Sequence, residues 1–179
     1  MSQLDEIKNE LKIYSDFPKK GIKFLDISPL ISNPKNFRTV INALYKKYKN
    51  SGINKIIAVE SRGFLFASAL ALLMKAPLVM ARKKGKLPGT VISYYYKSEY
   101  GKNVLELRKD SINPNDKPLV LDDVFATGGT LNAVISILKK IGCSDYRCCT
   151  IINLTDIEKK YNPGNVNSLI DFSVNGEIL

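Results

Sequence analysis

The sequence predicts one α/β domain, residues 1–179, built on a mainly parallel twisted sheet flanked by helices. Four short apolar runs have the composition of buried strands: KIIAV at 55–59, PLVMA at 77–81, PLVL at 118–121 and CCTIINL at 148–154. Two of these runs are followed by clear helices, which indicates parallel crossovers. A chain of 179 residues with 45% hydrophobic content can bury one substantial core.

Apolar residues at helical spacing predict further helices. Leu4, Ile7 and Leu11 indicate a short amphipathic helix near the N-terminus. Residues 36–49 carry a longer apolar stripe and are followed by Asn-Ser-Gly, a typical helix end. The segment FLFASALALLM at 64–74 predicts a buried helix. We interpret these stripes as packing surfaces.

The chain is strongly basic. Its formal charge of +10 comes from 27 basic and 17 acidic residues. Such a charge favours a polyanionic partner, which could be nucleic acid, an acidic membrane or a multiply phosphorylated substrate. Charge alone does not choose among these three.

The cysteines and the N-terminus predict a cytoplasmic protein. Cys143, Cys148 and Cys149 lack CxxC spacing, and the chain has no histidine to complete a zinc site. Buried free thiols in a reducing compartment are therefore expected. The N-terminal segment MSQLDEIKNELK is too polar for a secretory signal, and the apolar segment 64–74 is too short to span a bilayer. We expect no membrane association.

Residues 118–140, PLVLDDVFATGGTLNAVISILKK, predict a pocket for a phosphorylated sugar. The end of the predicted strand carries Asp122 and Asp123, and such a repelling pair is well satisfied by the two hydroxyls of a ribose. Residues 126–130 carry little side-chain bulk, so backbone N–H groups at the start of the next helix can approach an anion. The alternative is an exposed Asp-Asp turn before an ordinary helix. The turn lacks both the Gly-Lys-Ser/Thr of a triphosphate loop and the GxGxxG of a dinucleotide site.

A second chemical segment follows the predicted strand 55–59. Glu60, Ser61, Arg62 and Gly63 place a bidentate cation at a helix start, which suits a diphosphate. A surface arginine beside a turn glycine is the alternative.

A third segment, RKKGKLPG at 82–89, concentrates positive charge on a turn-rich loop. The tyrosines that follow it leave single-stranded nucleic acid binding open. Residues 91–107 are better explained as a hairpin lid with its tip at 98–103, able to exclude water from a reactive sugar.

The segment LVLDDVFATGGT resembles the phosphoribosyl-diphosphate (PRPP) signature of type I phosphoribosyltransferases. RKKGKLPG, SEYGK, FPKKGIKFLDISPL and ESRGFLF closely resemble the adenine phosphoribosyltransferase family, over about residues 17–154. Related xanthine enzymes have Asn-Gly-Gln where this chain has Thr127-Gly128-Gly129, which argues against them.

This resemblance implies a type I phosphoribosyltransferase fold with a small hood, formed partly by residues 1–30, and a flexible lid hairpin. It implies the purine salvage reaction, in which the 5-phosphoribosyl group of PRPP is transferred to N9 of adenine, giving AMP and diphosphate. It also implies a homodimer and dependence on Mg²⁺, which PRPP mainly carries, with no certain protein ligand. Specific nucleic acid binding is not expected.

The resemblance implies roles for residues at matched positions. Asp122 and Asp123 would bind the ribose hydroxyls. The 5′-phosphate would be bound by Ala126, Thr127, Gly128, Gly129 and Thr130. The diphosphate would be bound by Glu60, Ser61, Arg62, Arg82, Lys83 and Lys86, with part of the basic loop acting on the neighbouring subunit.

The adenine site and the catalytic groups are implied in the same way. Phe24 would stack on the base, although this residue in KFLDI could equally belong to a strand core. Backbone groups of Lys23 and Leu25 would read the exocyclic amine and N1. Glu99 would protonate or hydrogen-bond N7 as N9 attacks, and Arg62 is the second catalytic residue.

Overall fold

The computed structural model describes residues 3–98 and 101–175. Its helices are α1 (Gln3–Glu10), α2 (Ser28–Ser32), α3 (Pro34–Tyr48), α4 (Gly63–Met74) and α5 (Gly129–Ile141). Its strands are β1 (Lys12–Ser15), β2 (Lys23–Asp26), β3 (Lys55–Val59), β4 (Leu78–Lys83), β5 (Val91–Ser98), β6 (Gly101–Arg108), β7 (Pro118–Phe125), β8 (Arg147–Leu154) and β9 (Val166–Phe172).

The main sheet confirms the predicted fold class. Its strand order is β5-β6-β4-β3-β7-β8-β9. Strand β3 pairs in parallel with β4 and β7, and the β7–β8 and β8–β9 pairs are also parallel. The β5–β6 hairpin joins the sheet through an antiparallel contact of β6 with β4. The carboxyl ends of β3, β4 and β7 therefore lie at one edge, where α/β folds bind ligands.

The core lies on both faces of this sheet. Ile56 and Ala58 of β3 pack with residues of α1, α3 and α4, whereas Ile57 and Val59 of the same strand pack against α5. This alternation is the two-residue period of a strand. It explains why β3 is apolar without a polar face, because helices cover both sides.

Local sequence signals set the ends of the helices. At the start of α3 the side chain of Asn33 accepts hydrogen bonds from the backbone N–H groups of Lys35 and Asn36, and Pro34 occupies the first turn. Helix α5 ends at Gly142, which has the left-handed conformation typical of a glycine helix stop. Within residues 3–98 and 101–175, no helix has the length and apolarity that crossing a bilayer requires.

Two strands extend further than the sequence predicts. Strand β4 continues through Arg82 and Lys83, which are paired with β6 and do not lie in the turn-rich loop. Strand β7 continues through Phe125, so Asp122 and Asp123 lie within the strand. The predicted strand end at residue 121 is therefore wrong. The ladder with β8 continues to Phe125, and this pairing keeps the polar residues extended.

Sequence patterning does not predict β1 or β9. Strand β1 pairs with β2 in a separate antiparallel sheet, which lies in the segment predicted to contribute to the hood. Strand β9 closes the edge of the main sheet next to β8. The predicted hairpin at 91–107 is confirmed as β5 and β6, whose pairing runs from Val91↔Arg108 to Ser98↔Gly101. Motion of this hairpin stays a prediction.

A second loop braces the connection between β7 and α5. The backbone N–H of Tyr161 donates to the carbonyl of Thr127 at 3.1 Å. Lys159 donates to the carbonyls of Phe125 and Leu154 at 3.1 and 2.5 Å, and its ammonium lies 4.6 Å from the centre of the Phe125 ring. At Gly128, where φ is +86°, an added Cβ would lie 2.8 Å from the carbonyl oxygen of Tyr161. Close packing therefore fixes the shape of the connection.

We predict that Gly128→Ala destabilises the protein more than Gly164→Ala. Both glycines have φ near +85°, but a Cβ at Gly164 meets no atom within 4 Å. The control should lose about 1 kcal/mol from left-handed backbone strain, while Gly128→Ala should lose at least about 2 kcal/mol because Tyr161 must also move. Urea unfolding followed by circular dichroism measures both. Equal losses of stability in the two variants would show that the loop containing Tyr161 moves at no measurable cost.

Candidate active site

A cleft of about 490 Å³ opens at the carboxyl edge of the sheet. The chemical segments singled out in the sequence meet there. The predicted site residues that line the cleft are Lys23, Phe24, Leu25, Glu60, Ser61, Arg62, Lys83, Asp122, Asp123, Ala126, Thr127, Gly128, Gly129 and Thr130. Arg82 and Lys86 are not among the lining residues. Glu99 lies outside the described residues.

The connection from β7 to α5 forms one end of the cleft. Gly128 is the N-cap residue of α5, and no side chain caps this helix start. The first N–H groups of a helix have no partner within the helix, and they carry the positive end of its dipole. Residues 126–130 thus present backbone donors to the cleft and can bind an anion.

Asp122 and Asp123 form a buried pair of carboxylates beside this helix start. They are only 8% and 6% exposed. The backbone N–H of Asp123 donates to Oδ1 of Asp122 at 2.9 Å. Burial, and then the charge of Asp123, raise the pKa of Asp122 well above its usual range. The pair is costly when ionised, so a cation or hydroxyl donors would stabilise it.

Arg62 extends across the cleft and contacts residues of β7 on one side and of β2 on the other. Its Nε lies 2.6 Å from Oδ2 of Asp123. The N–H of Arg62 is not aligned for a hydrogen bond, so this buried oxygen can still accept one from another donor. Nη1 donates to the carbonyl of Leu25 at 3.2 Å, and the guanidinium carbon lies 5.1 Å from the centre of the Phe24 ring. One cation therefore joins the carboxylates to the N-terminal sheet.

Gly63 allows the arginine loop to approach β7. A Cβ at this position would lie 3.0 Å from the carbonyl oxygen of Leu121 and 3.1 Å from the Cα and Oδ1 of Asp122. A larger residue would push the two segments apart. The neighbouring peptide bond between Glu60 and Ser61 is cis.

Glu60 organises the basic strand end. Its Oε2 accepts hydrogen bonds from the backbone N–H of Lys83 at 2.9 Å and from Nε of Arg82 at 3.3 Å. Burial opposes ionisation of Glu60, but these hydrogen bonds outweigh it and lower its pKa. Arg82 also donates to the carbonyl of Lys86 at 3.1 Å. These contacts hold Arg82 beside the cleft rather than inside it.

The N-terminal sheet supplies the aromatic wall. The Phe24 ring is half-buried and lines the cleft, with the Phe17 ring 5.1 Å away in an edge-on arrangement. Leu25 is buried, and Nζ of Lys23 donates to Oδ1 of Asn175 at 2.7 Å. An aromatic face between Phe17 and Arg62 can bind a planar ligand.

Sequence reasoning missed several residues of the site. Phe17, Tyr96 and Asn103 line the cleft, and Lys159 and Tyr161 brace its end at the connection from β7 to α5. The two-residue alternation of the hairpin gives a signal for Tyr96, because alternate residues of a strand share a face. Lys159 and Tyr161 have no local signal for this role, since Phe125 and Thr127, which they contact at this end of the cleft, lie 34 residues earlier in the chain.

Comparisons with known proteins agree with this geometry. The phosphoribosyl transferase domain family matches residues 28–175. The adenine phosphoribosyltransferase of Haemophilus ducreyi is 43% identical over 160 residues, covering 89% of each chain. The adenine phosphoribosyltransferase of Giardia lamblia, solved with 9-deazaadenine, superposes with a TM-score of 0.91 at 30% identity, over 96% of this chain and 99% of that one.

A further solved structure is the adenine phosphoribosyltransferase of Saccharomyces cerevisiae, in complex with an imino-altritol bisphosphate and adenine. It has a TM-score of 0.82 at 32% identity, over 95% of this chain and 97% of that one. Both the sequence matches and the structural matches extend over nearly the full chain. The chain therefore belongs to the phosphoribosyltransferases, and within them to the adenine phosphoribosyltransferase family.

Proposed function

We propose that this chain transfers the 5-phosphoribosyl group of PRPP to N9 of adenine and releases AMP and diphosphate. The observation that carries this proposal is the meeting of an uncapped helix start, a buried carboxylate pair and an arginine beside an aromatic wall in one cleft. Each of these groups suits a different part of the two substrates. The relatives solved with 9-deazaadenine and with adenine support the choice of base.

The 5′-phosphate binds at the start of α5. Backbone N–H groups of residues 126–130 donate to its oxygens, and the helix dipole favours its charge. Because Tyr161 and Lys159 brace this loop, its donors are in place before the ligand arrives. Little free energy is then spent on ordering the loop.

Asp122 and Asp123 bind the ribose hydroxyls. Hydroxyl donors satisfy the acceptors of this buried pair, including Oδ2 of Asp123. As the bond from C1′ to the diphosphate oxygen breaks, positive charge develops on the sugar ring. Two carboxylates held nearby stabilise that charge, and no protein nucleophile is needed.

Arg62 binds the diphosphate. A guanidinium can contact phosphate oxygens through two parallel N–H donors. In the structure this side chain is paired with Asp123. On binding, the diphosphate would replace Asp123 as the partner of Arg62, and the ribose hydroxyls would replace Arg62 as the partners of the carboxylates. Glu60, Ser61 and Lys83 complete this end of the site, and Arg82 and Lys86 stand next to it.

Phe24 stacks on the adenine ring. Base stacking on an aromatic side chain contributes on the order of 1–3 kcal/mol. Backbone groups of Lys23 and Leu25 read the exocyclic amine and N1. The carbonyl of Leu25, now an acceptor for Arg62, becomes available once Arg62 turns to the diphosphate.

Glu99 acts as the acid at N7 of the base when the hairpin closes. Closure would exclude water from around the base, where the carboxyl group of Glu99 would protonate or hydrogen-bond N7. Exclusion of water also protects the sugar cation from hydrolysis.

Mg²⁺ enters with PRPP. Among residues 3–98 and 101–175, no group of three or more His, Cys, Asp or Glu could hold a metal ion. The Asp122–Asp123 pair fits a cation carried by the donor, because its own charge is poorly compensated. When bound, the ion neutralises charge on the departing diphosphate.

The cytoplasm is the proposed location. Cys143, Cys148 and Cys149 are free and buried in the part of the chain that the structure describes. Burial raises the pKa of Cys148 to about 12 and that of Cys149 to about 11, so both remain neutral thiols at pH 7. Unpaired thiols suit a reducing compartment.

The chain forms a homodimer through an apolar face on α4 and β4. Five large apolar side chains are exposed there: Leu65, Leu72, Leu73, Leu78 and Met80, at 40–80% exposure. No charged residue occurs in the α4 sequence GFLFASALALLM. Exposed apolar side chains grouped on two neighbouring elements are typical of a protein interface, and a second copy would bury the same face on both partners.

The reaction itself is tested by incubating the protein with PRPP, Mg²⁺ and one base at a time. We expect AMP from adenine, detected by mass spectrometry, and little mononucleotide from hypoxanthine, guanine or xanthine. EDTA should abolish product formation, and added Mg²⁺ should restore it. Product from another base, with none from adenine, would assign a different substrate.

We predict that Asp122→Asn stabilises the ligand-free protein while impairing turnover. Asn keeps the acceptor for the Asp123 amide but removes a buried charge, so the free energy of unfolding at pH 7 should rise by about 1 kcal/mol. Folding raises the pKa of Asp122. The free-energy cost of ionising this carboxyl group in the folded protein therefore grows as the pH rises above its unfolded pKa of about 3.9. The stability gained by Asp122→Asn should therefore shrink as the pH falls toward about 4.

Turnover by Asp122→Asn should fall about 10- to 100-fold, since a charged hydrogen-bond acceptor is lost. The control is Asp145→Asn, at an acid that is exposed and paired with Lys117 on the surface. This control should change neither stability nor rate. A less stable Asp122→Asn protein at pH 7 would contradict the cost assigned to the buried pair.

Leu72→Glu tests the dimer. Leu72 is 80% exposed, so the change should leave the fold intact and place a charge in the proposed interface. Sedimentation should show a dimer for the wild type and a monomer for this variant. Lys139→Glu, at an exposed position on α5, should stay dimeric. If the wild type itself sediments as a monomer, the proposed interface is wrong.

A further inference from the structure

Glu106 is a buried carboxylate that the proposed mechanism does not use. It lies in β6, is 5% exposed and is not among the residues that line the cleft. Its Oε2 accepts a hydrogen bond from the backbone N–H of Gly85 at 2.9 Å, and its Oε1 accepts one from the hydroxyl of Ser93 at 3.2 Å. A carboxylate is costly to bury unless donors satisfy its oxygens, so these two contacts help to keep Glu106 in this position.

Glu106 lies in a row of residues that crosses three strands. In the register of the sheet it is paired with Arg82 of β4 on one side and with Ser93 of β5 on the other. Residues directly opposite each other in antiparallel strands lie on the same face of the sheet. Glu106 therefore connects the hairpin to the basic end of β4 and to the turn that follows it.

The end of β4 leads into a tight turn with Gly85 at its third position. The backbone N–H of Lys86 donates to the carbonyl of Lys83 at 3.2 Å, which closes a β-turn over residues 83–86. Gly85 has a φ of +76°, whereas the φ of Lys84 is not positive. This combination is that of a type II turn, which differs from a type I turn in the orientation of its central peptide.

Glu106 selects the orientation of this central peptide. The peptide consists of the carbonyl of Lys84 and the N–H of Gly85, and that N–H points at Oε2 of Glu106. In a type I turn the peptide is rotated to the opposite side, which would bring the carbonyl of Lys84 toward the carboxylate. The two oxygens would repel each other, so Glu106 favours the observed turn and disfavours the alternative.

We propose that Glu106 is a positioning residue for the diphosphate of the donor, because it fixes the turn that follows the basic end of β4. The inference rests on the function proposed above and adds a residue outside the cleft to its diphosphate end. Lys83 begins the turn and lines the cleft, and the carbonyl of Lys86, which ends the turn, accepts from Arg82. A rearranged turn would displace these basic groups, and misplaced binding groups hold a ligand less well.

The test compares Glu106→Met with Glu106→Gln. Met removes both acceptors, whereas Gln keeps one oxygen that can accept from the N–H of Gly85. The control is Glu6→Gln, at an exposed acid on α1. Isothermal calorimetry measures the Kd of diphosphate in the presence of Mg²⁺, and the Kd of ribose 5-phosphate and of adenine. Thermal unfolding of each variant shows whether it is folded.

Diphosphate binding should weaken about 3- to 10-fold in Glu106→Met, since one oriented hydrogen bond to the turn is lost. Glu106→Gln should lie between this variant and the wild type, and Glu6→Gln should match the wild type. Ribose 5-phosphate and adenine should bind unchanged in all three variants. In steady-state assays the KM for PRPP should rise in Glu106→Met while the KM for adenine stays the same. Equal weakening of all three ligands would show a merely structural role and overturn the proposal.

Gly85→Ala tests the same turn without changing the buried residue. A side chain at this position is strained by the positive φ, and its Cβ would meet no atom within 4 Å, so any rearrangement comes from strain and not from a clash. The control is Gly52→Ala, because Gly52 has the same φ of +76° and the same free space. Gly85→Ala should weaken diphosphate binding as Glu106→Met does, and Gly52→Ala should not. Since Gly85 is exposed, this variant tests the proposal even if Glu106→Met fails to fold.

A double-mutant cycle joins the two changes. If Glu106 acts through the turn, Glu106→Met combined with Gly85→Ala should bind diphosphate no more weakly than the weaker single variant. Independent, multiplicative losses would overturn the proposal, as would wild-type affinity in Glu106→Met or a wild type that does not bind diphosphate. Calorimetry needs no turnover, so a wild type that binds diphosphate but makes no AMP would contradict the proposed function and leave this test intact.

Discussion

The contact between Arg62 and Asp123 is the interaction on which the cleft depends. It joins β7 to the loop after β3, and through the carbonyl of Leu25 it reaches the separate N-terminal sheet. Two adjacent buried carboxylates would be costly without this cation. Gly63 makes the contact possible, because a Cβ there would lie against the backbone of β7. The residue that we propose to bind the diphosphate thus also holds the walls of the cleft together.

The sheet topology explains why these groups meet. Strands β3 and β7 are parallel neighbours, so their carboxyl ends place the arginine loop and the proposed phosphate loop side by side. Strand β4 lies on the other side of β3 and brings Lys83 to the same edge. Three short segments, separated by some 20 to 40 residues in the chain, become one site without long loops. The fixed backbone, and not any single side chain, therefore sets the spacing between the anion sites.

Much of this could be predicted from the sequence, because β3 and α5 have strong local patterns. Apolar continuity marks β3, and helical periodicity with a closing glycine marks α5. Local pattern fails where tertiary pairing decides. Asp122 and Asp123 look like the end of a strand, but the ladder with β8 keeps them extended. The role of Tyr161 depends on a contact with a loop that is distant in the chain, which no local signal records. Sequence motifs therefore predict the residues that carry the chemistry of the site better than they predict the residues that hold the site in shape.

The pairing of Arg62 with Asp123 has a consequence for which ligands the cleft would accept. A diphosphate alone would draw Arg62 away and leave the buried carboxylates of Asp122 and Asp123 without a partner, at a cost of roughly 1–3 kcal/mol or more for an unsatisfied charged group. A ligand that brings only ribose hydroxyls would have to share the two carboxylates with Arg62, which is already paired with Asp123. A ligand that brings both groups satisfies the arginine and the carboxylates in one step. We therefore propose that the site favours the intact donor over either of its parts, because each half of the ligand removes the cost that the other half creates.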